Sequence, residues 1–476
     1  MLHRRVICKE YHPERAAMLA CDRSMAVASY HLSPLETGVC PSLRGMDLQV
    51  AHALVRFGLG RRGTEPLPTD PGAWLRAQLH GPDPTSLPIP ASTAIGLGAL
   101  REDRQNKPAP GQSRARAIYR QDATAELQNA LTTPAPFRER LVWFWTNHFT
   151  ISLRRGQCAG VAGAFVEEAI RPHVTGRFAD MLLAVMHHPA MLLYLDNVGS
   201  VGPDSPAGQR SKRGLNENLA RECLELHTVS PAAGYTQADV TNFAKLLTGW
   251  SIDLRADPPG FRFRPFAHEP GEQIVMGRRF PPGEEGGFAA LTFLADRPAT
   301  HHYLATKLVC HFVADDPSPD SVRRIEGVLR DTRGNLGAAA AALTTLTAAW
   351  QPQTKLRTPL DFAVASLRAL DAPPPKADQP WLLGVLAGLG QPMWSAPQPN
   401  GWPDRAADWA GPEALLRRID WAYGLSGRLT GPDPAAVAEA SLGPLLQPAT
   451  LDAMHHAGSR RDALTLLLSS PEFQRR

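Results

Sequence analysis

Cysteine is scarce in this chain. Six occur in 476 residues, with no CxxC pair and no zinc-ribbon spacing, which argues against a ribbon-type zinc site and fits a reducing compartment. Long apolar runs are missing too. The longest, residues 181–195, is interrupted by His187, His188 and Pro189, short of the ~18 apolar residues that a membrane helix needs. Residues 1–5 are basic, but Lys9, Glu10, His12, Glu14 and Arg15 break up the stretch from Val6 to Ala20, so no apolar export signal is visible. A cytoplasmic location is the expectation. No GxGxxG follows a strand, and there is no GxxxxGK[ST], no HExxH and no GxSxG elbow at Ser200 or Ser205. Charge of one sign is also not abundant. The net charge is +4 with a pI near 8.8, and no long Lys/Arg run forms, so composition gives no evidence for nucleic acid.

What is present is a chain 43% hydrophobic and 20% charged, with 39 Gly and 44 Pro. That is enough apolar material for a sizeable core, built from short elements joined by Pro-rich turns. The fold expectation is mainly α, a large multi-helix domain over residues 46–476. Residues 1–45 lack a sustained period and read as a flexible extension or a mis-assigned start. From Met46, Leu48, Val50, Ala51, Leu54, Val55 and Leu59 follow the 3.6-residue period. Asp70-Pro71 signals a helix start. Residues 81–112 read as a Pro/Gly/Ser-rich surface connection, and helices are expected over 113–131, 157–172, 176–187, 189–195, 215–229 and 237–247. Residues 251–282 read differently, as a possible subdivision: GFRFRPF alternates and QIVMGRRF can pair back, predicting one small β-hairpin near residues 259–280. Helices resume from residue 287, and 389–404 is a Trp/Pro-rich loop.

Several blocks stand out: WFWTNHF from Trp143, GLNENLARECLELHT from Gly214, PATHHYLATKL at 298–308, GQPMWSAPQPNGWPD at 390–404 and the closing SSPEF. With RFGLG near residue 57, they resemble the bacterial family called domain of unknown function 1800, from about Met46 to the C-terminus. The resemblance implies membership rather than an activity. It also implies a possible partner, since members often neighbour a second uncharacterised, sulfatase-like family, and many members are exported. The chain departs from the pattern at Arg297, where the family commonly has His.

On a helical wheel of 215–229, Leu215, Leu219, Cys223 and Leu226 form the core arc. Glu217, Arg221 and Thr228 lie nearly opposite, and Asn218, Glu222 and Glu225 share the flank, so the last three side chains meet. His227 lies at the far edge of the core arc. A carboxylate pair converging with His148, His173 or His188 is how helical bundles build sites for divalent transition metals. The same pair can divide acid and base roles. Glu222, Glu225 and Arg221 are therefore the candidate catalytic residues, and Glu222, Glu225, His148, His173 and His188 the candidate metal ligands.

Plainer readings compete. Glu217 and Arg221 make an i, i+4 ion pair, and the two glutamates accept loop N–H groups. His148 packs in an aromatic wall, His188 caps a helix break at Pro189, and Cys223 is a buried thiol. His268-Glu269 sits exposed at the hairpin tip. The Gly199–Lys212 loop, with Arg210, offers a weak anion site. The function expected is a metal-assisted enzyme with a Glu/His pocket between helices, its substrate unreadable. The alternative is a non-catalytic helical scaffold or maturation partner of the sulfatase-like protein.

Overall fold

The computed structural model describes residues 46–476 apart from 64, 86–90, 211–213, 353, 377, 430 and 432. The expectation for residues 1–45 lies outside them. The described residues belong to one compact unit, 42–476. Among them are 21 α-helices and two two-stranded antiparallel ribbons, so the chain is mainly α. No described helix is long and apolar enough to cross a membrane.

Local chemistry explains the helix starts. Asp70 accepts from Ala73 N–H at 2.8 Å to open Pro71–Ala77, and Ser113 caps Arg114–Thr132. Thr236 and Asp239 form a reciprocal capping box on Gln237–Leu246. One segment departs from expectation. Within 81–112 the structure places the helix Thr93–Asn106, capped by Ser92. Its IGLGAL interior has low helix propensity, but Gly96 needs to be bare. A Cβ there would sit 1.9 Å from the Gly160 carbonyl oxygen, so close helix packing carries the helix that propensity does not.

The β content also pairs differently from the expected single hairpin. β1 (Trp250–Asp253) pairs with β2 (Gly260–Phe263), and β3 (Gln273–Val275) with β4 (Arg278–Phe280). Met276 and Gly277 both have positive φ, 47° and 79°, the type I′ geometry of a two-residue turn, so QIVMGRRF closes on itself. The stretch between the ribbons therefore runs inward. His268 and Glu269, expected at an exposed tip, are buried. Gly283 N–H donates to His268 Nε2 at 2.7 Å, so Nδ1–H donates to the Thr248 carbonyl at 2.8 Å. Glu269 pairs with Lys245 at 3.1 Å and accepts from Asp204 N–H at 2.9 Å.

The apolar residues form two main clusters. The larger takes in Phe137, Phe144, Trp145, Leu219, Trp250 and Phe312, and the second takes in Leu54, Leu131, Phe362 and Leu464. Helix Pro136–His148 lies between them. Phe144 and Trp145 face the first cluster, while Trp143 packs on the second. A polar site forms along this seam.

Candidate functional site

The C-terminal turn of Pro136–His148 supplies Asn147 and His148. Asn147 clamps the 389–404 loop, donating to the Trp402 carbonyl at 2.8 Å and accepting from Trp402 N–H at 2.7 Å. Ser152 donates to the Ala396 carbonyl and Leu153 N–H to that of Trp394, so the loop is fixed at three points. Gly401, at φ +78°, must lack a side chain because a Cβ would come within 2.4 Å of the Asn147 carbonyl. The clamp holds Trp394 and Trp402 against Trp143 and Met393 around a cavity of about 100 Å³.

Helix Pro298–Phe312 delivers the polar groups. Tyr303, Lys307 and His311 follow at steps of four residues, on one drifting face. His311 Nδ1 lies 2.6 Å from Asp404 Oδ1. Its Nε2 is buried without a partner, and both residues line the cavity. Burial pushes His311 down to about 4, against the pull of Asp404. Burial also works against ionisation of Asp404, but His311, Lys355 and Lys307 outweigh it and hold the carboxyl at about 2. The imidazole is thus neutral at pH 7. Its Nδ1–H donates to an ionised carboxylate, and the Nε2 lone pair is left without a partner. The Thr146 hydroxyl, also without a partner, lines the same cavity.

One turn back, Lys307 lies 5.7 Å from the centroid of the Tyr303 ring. Its cation acts on His148 and His227, whose rings are 5.9 Å apart. His148 sits among Phe144, Trp145, Phe149 and Phe178 and bonds the His227 carbonyl through Nε2 at 3.2 Å. That leaves Nδ1 of His148 and both ring nitrogens of His227 buried without partners. Burial first, then Lys307, holds both imidazoles far below their ordinary value, His227 at about 3.

The expected straight helix over 215–229 begins at Asn218 and widens into a π-turn at Cys223–His227. The extra residue per turn carries His227 fully into the core, which a uniform 100° wheel does not show. Glu222 and Glu225 lie close enough for one to act on the other. Burial raises the Glu222 carboxyl, with Glu225 adding to the effect. They lie beside tyrosines: burial and then Glu225 push Tyr303 up to about 12, and Glu222 contributes to the rise of Tyr194. Arg221 instead pairs outward with Glu217 at 2.7 Å and bonds Gln237, as the plainer reading expects.

The other proposed metal donors go elsewhere. His188 Nδ1 accepts from Ala190 N–H at 3.1 Å, capping helix Pro189–Tyr194, and its Nε2 contacts Thr93 and Glu168. His173 is partly buried near Asp180. Among the described residues no three His, Cys, Asp or Glu side chains are grouped to hold one metal ion. Among the described residues the expected Glu/His donors are not grouped around one metal position, and His188 is committed to its cap. Cys223 is fully buried with its thiol pushed up, an inert core thiol. Arg210 lines a separate groove, while Lys212 lies outside the described residues.

The blocks WFWTNHF, NENLARECLELHT, PATHHYLATKL and GQPMWSAPQPNGWPD, distant in sequence, supply this one seam. The family model described as protein of unknown function (DUF1800) matches residues 52–475. The chain belongs to that family. No curated protein and no solved structure matches it. Tyr303, Lys307, His311 and Asp404 escaped the sequence reading. The i, i+4, i+8 spacing of the first three was a usable signal, but nothing local to Asp404 marks it as the partner of His311, 93 residues away.

Proposed function

We propose that this chain is an enzyme acting on a small, partly apolar molecule held in the tryptophan-lined cavity, with His311 as general base. One observation carries the reading: Asp404 holds His311 Nδ1–H at 2.6 Å while the opposite nitrogen is buried and unpartnered, in a residue that lines the cavity. A carboxylate that fixes the tautomer and stabilises the imidazolium is the arrangement that makes histidine an effective proton carrier. Asp361, Arg140 and Arg476 close one end of the cavity with charge, and the tryptophans supply apolar walls. The Glu222–Glu225 pair keeps the acid–base half of the sequence reading, at the tyrosine-lined edge, and no step requires a bound metal.

The test is untargeted mass spectrometry of a small-molecule cell extract incubated with wild-type protein or His311→Gln. Wild type consumes at least one metabolite, and His311→Gln slows that consumption by at least 100-fold while retaining its melting temperature within a few degrees. Equal consumption by both proteins sinks the role of His311. No consumption by either favours the scaffold or maturation-partner alternative, under which these polar groups only hold loops.

A further inference from the structure

Lys307 is one of only seven lysines in the chain, against 43 arginines. It is partly buried on the inner face of Pro298–Phe312, and among the described residues its amine makes no hydrogen bond or ion pair. The residues that face it come from its own helix and three other segments. Tyr303 lies one turn back on its own helix. His148 comes from Pro136–His148 and His227 from the π-turn, each with unpartnered ring nitrogens. Asp404, bound to His311, comes from the loop, and Cys310, one turn on along the same helix, also acts on it. Lysines elsewhere in the fold are used as cations: Lys355 pairs with Asp315, and Lys245 with Glu269. Lys307 has no such contact.

We propose that Lys307 is a carbonyl-reactive amine, and that the substrate of this site is a small aldehyde or ketone held as an imine on its nitrogen. The proposal rests on the reading of His311, one turn on from Lys307, as part of an enzyme site. The geometry answers each requirement of the step. Desolvation lowers the Lys307 amine below its ordinary value, so the neutral, nucleophilic form is reached more easily. His148 Nε2–H is committed to the His227 carbonyl, so its Nδ1 is a bare lone pair. His227 carries one further lone pair and one N–H, both unpartnered.

The neutral amine attacks the carbonyl carbon and the C–N bond forms. The nitrogen gives up one proton to a neighbouring imidazole, which passes it to the alkoxide oxygen, giving a neutral carbinolamine. The second N–H proton follows the same route to the hydroxyl as the nitrogen lone pair expels it, so the C–O bond breaks, water leaves and a neutral C=N remains. Nothing is oxidised or reduced. An anion-binding role for Lys307 is the weaker reading, because the unpartnered acceptor lone pairs around it would face the anion.

The test uses the full chain, acetaldehyde as probe and cyanoborohydride to reduce any imine to N-ethyl-lysine, with site occupancy read by peptide mass spectrometry. At pH 7 Lys307 should be ethylated at least tenfold faster than the exposed Lys107 and Lys376, and the gap should close above pH 10, where exposed amines also lose their protons. His227→Asn should slow trapping at Lys307 several-fold without changing that at Lys107. Ethylation of Lys307 no faster than of Lys107 in native protein, or only after denaturation, overturns the proposal. The readout is separable from the enzyme reading. Trapping at Lys307 that persists in His311→Gln supports the amine site whether or not a metabolite is consumed. Consumption without trapping leaves the His311 reading standing and removes this one.

Discussion

Arg171 and Asp361 are both buried ions at the centre of side-chain networks, yet the two networks carry opposite excess charge. Arg171 bonds Glu139 at 2.7 Å, Glu126 at 2.9 Å and Glu167 at 2.6 Å, with Asp83 at 3.5 Å. Asp361 bonds Arg140 at 2.9 Å and Arg476 at 3.0 Å, with Arg357 and Arg418 close enough to act on it. One cation serves several carboxylates in the first hub. One carboxylate serves several cations in the second. The cavity runs between them, with Glu126 on its lining from the first and Arg140, Asp361 and Arg476 from the second. The inversion matters because a carboxylate relieves excess charge by taking up a proton as pH falls, whereas an arginine can only release one as pH rises. The Arg171 hub therefore discharges on acidification and the Asp361 hub only toward alkaline pH.

The largest expected effect comes from this asymmetry. Asp361→Asn leaves Arg140, Arg357, Arg418 and Arg476 without their common counter-ion. Removing one partner of a buried pair costs about 3–5 kcal/mol, and here the loss should reach or pass the upper end. Burial and mutual repulsion already lower Arg476 to about 9, and burial lowers Arg357 and Arg418 to about 10. In that window the folded state binds fewer protons than the unfolded one, so stability rises with pH. Because Asp361 is what holds these arginines up, they fall further in the variant, and urea unfolding should show the deficit against wild type shrinking as pH rises toward 10. A deficit that shrinks on acidification would break the contrast.

Arg171→Met should cost about 3–5 kcal/mol at pH 8 for the same reason with the signs exchanged. Burial first, and then Glu139 and Glu167, already push Glu126 well above its ordinary value against the pull of Arg171. Without that pull the folded protein binds more protons than the unfolded chain, so the deficit narrows as pH falls from 8 to 5. A deficit constant over that range would show that the hub cannot take up protons.

Neither hub sets the acid limit of the wild type. That falls to the neutral histidines. His311 and His227 drop from an ordinary 6.5 to about 4 and about 3. Their contribution is complete above pH 6.5 and is lost as pH falls toward the folded values, because the unfolded chain takes up protons first. For His311 alone this is on the order of 3 kcal/mol. Unfolding free energy should decline between pH 6.5 and 4.5, less steeply in His227→Gln. A flat profile there would mean that these rings are hydrated rather than dry.

The legibility of the molecule tracks the reach of each interaction. Asp70, Ser113 and Pro189 announce their helices because a cap acts within four residues. Thr93–Asn106 was missed because Gly96 answers to Gly160, which local propensity cannot register. The ribbons were half legible: strand-forming residues were evident, but pairing depended on Met276 adopting positive φ, which its side chain does not advertise. At the site, Glu222 and Glu225 were found together because they share a turn. The π-turn redirected His227, and His311 needed Asp404 from a distant loop. The wheel therefore gave the edge of the site, and long-range contacts gave its centre.

The smallest effect sharpens the comparison from inside one hub. Glu126 Oε2 accepts from Arg171 at 2.9 Å, while Oε1 is buried without a partner. Burial works against the charged form of Glu126 and raises its carboxyl well above the ordinary value, so Glu126→Gln keeps the shape and removes less charge stabilisation than the same change at Asp361. The expected cost is within about 1 kcal/mol at pH 7, below the 1–3 kcal/mol of stranding a buried polar group, since the amide oxygen can keep the Arg171 bond. The corresponding change in the other hub, Asp361→Asn, is also nearly isosteric, yet it removes a charge that four arginines require. If both isosteric amides cost the same in parallel urea titrations, the hubs are equivalent and charge inversion explains nothing. A large gap between them means that the protonation state, rather than the hydrogen-bond count, decides what each buried carboxylate is worth.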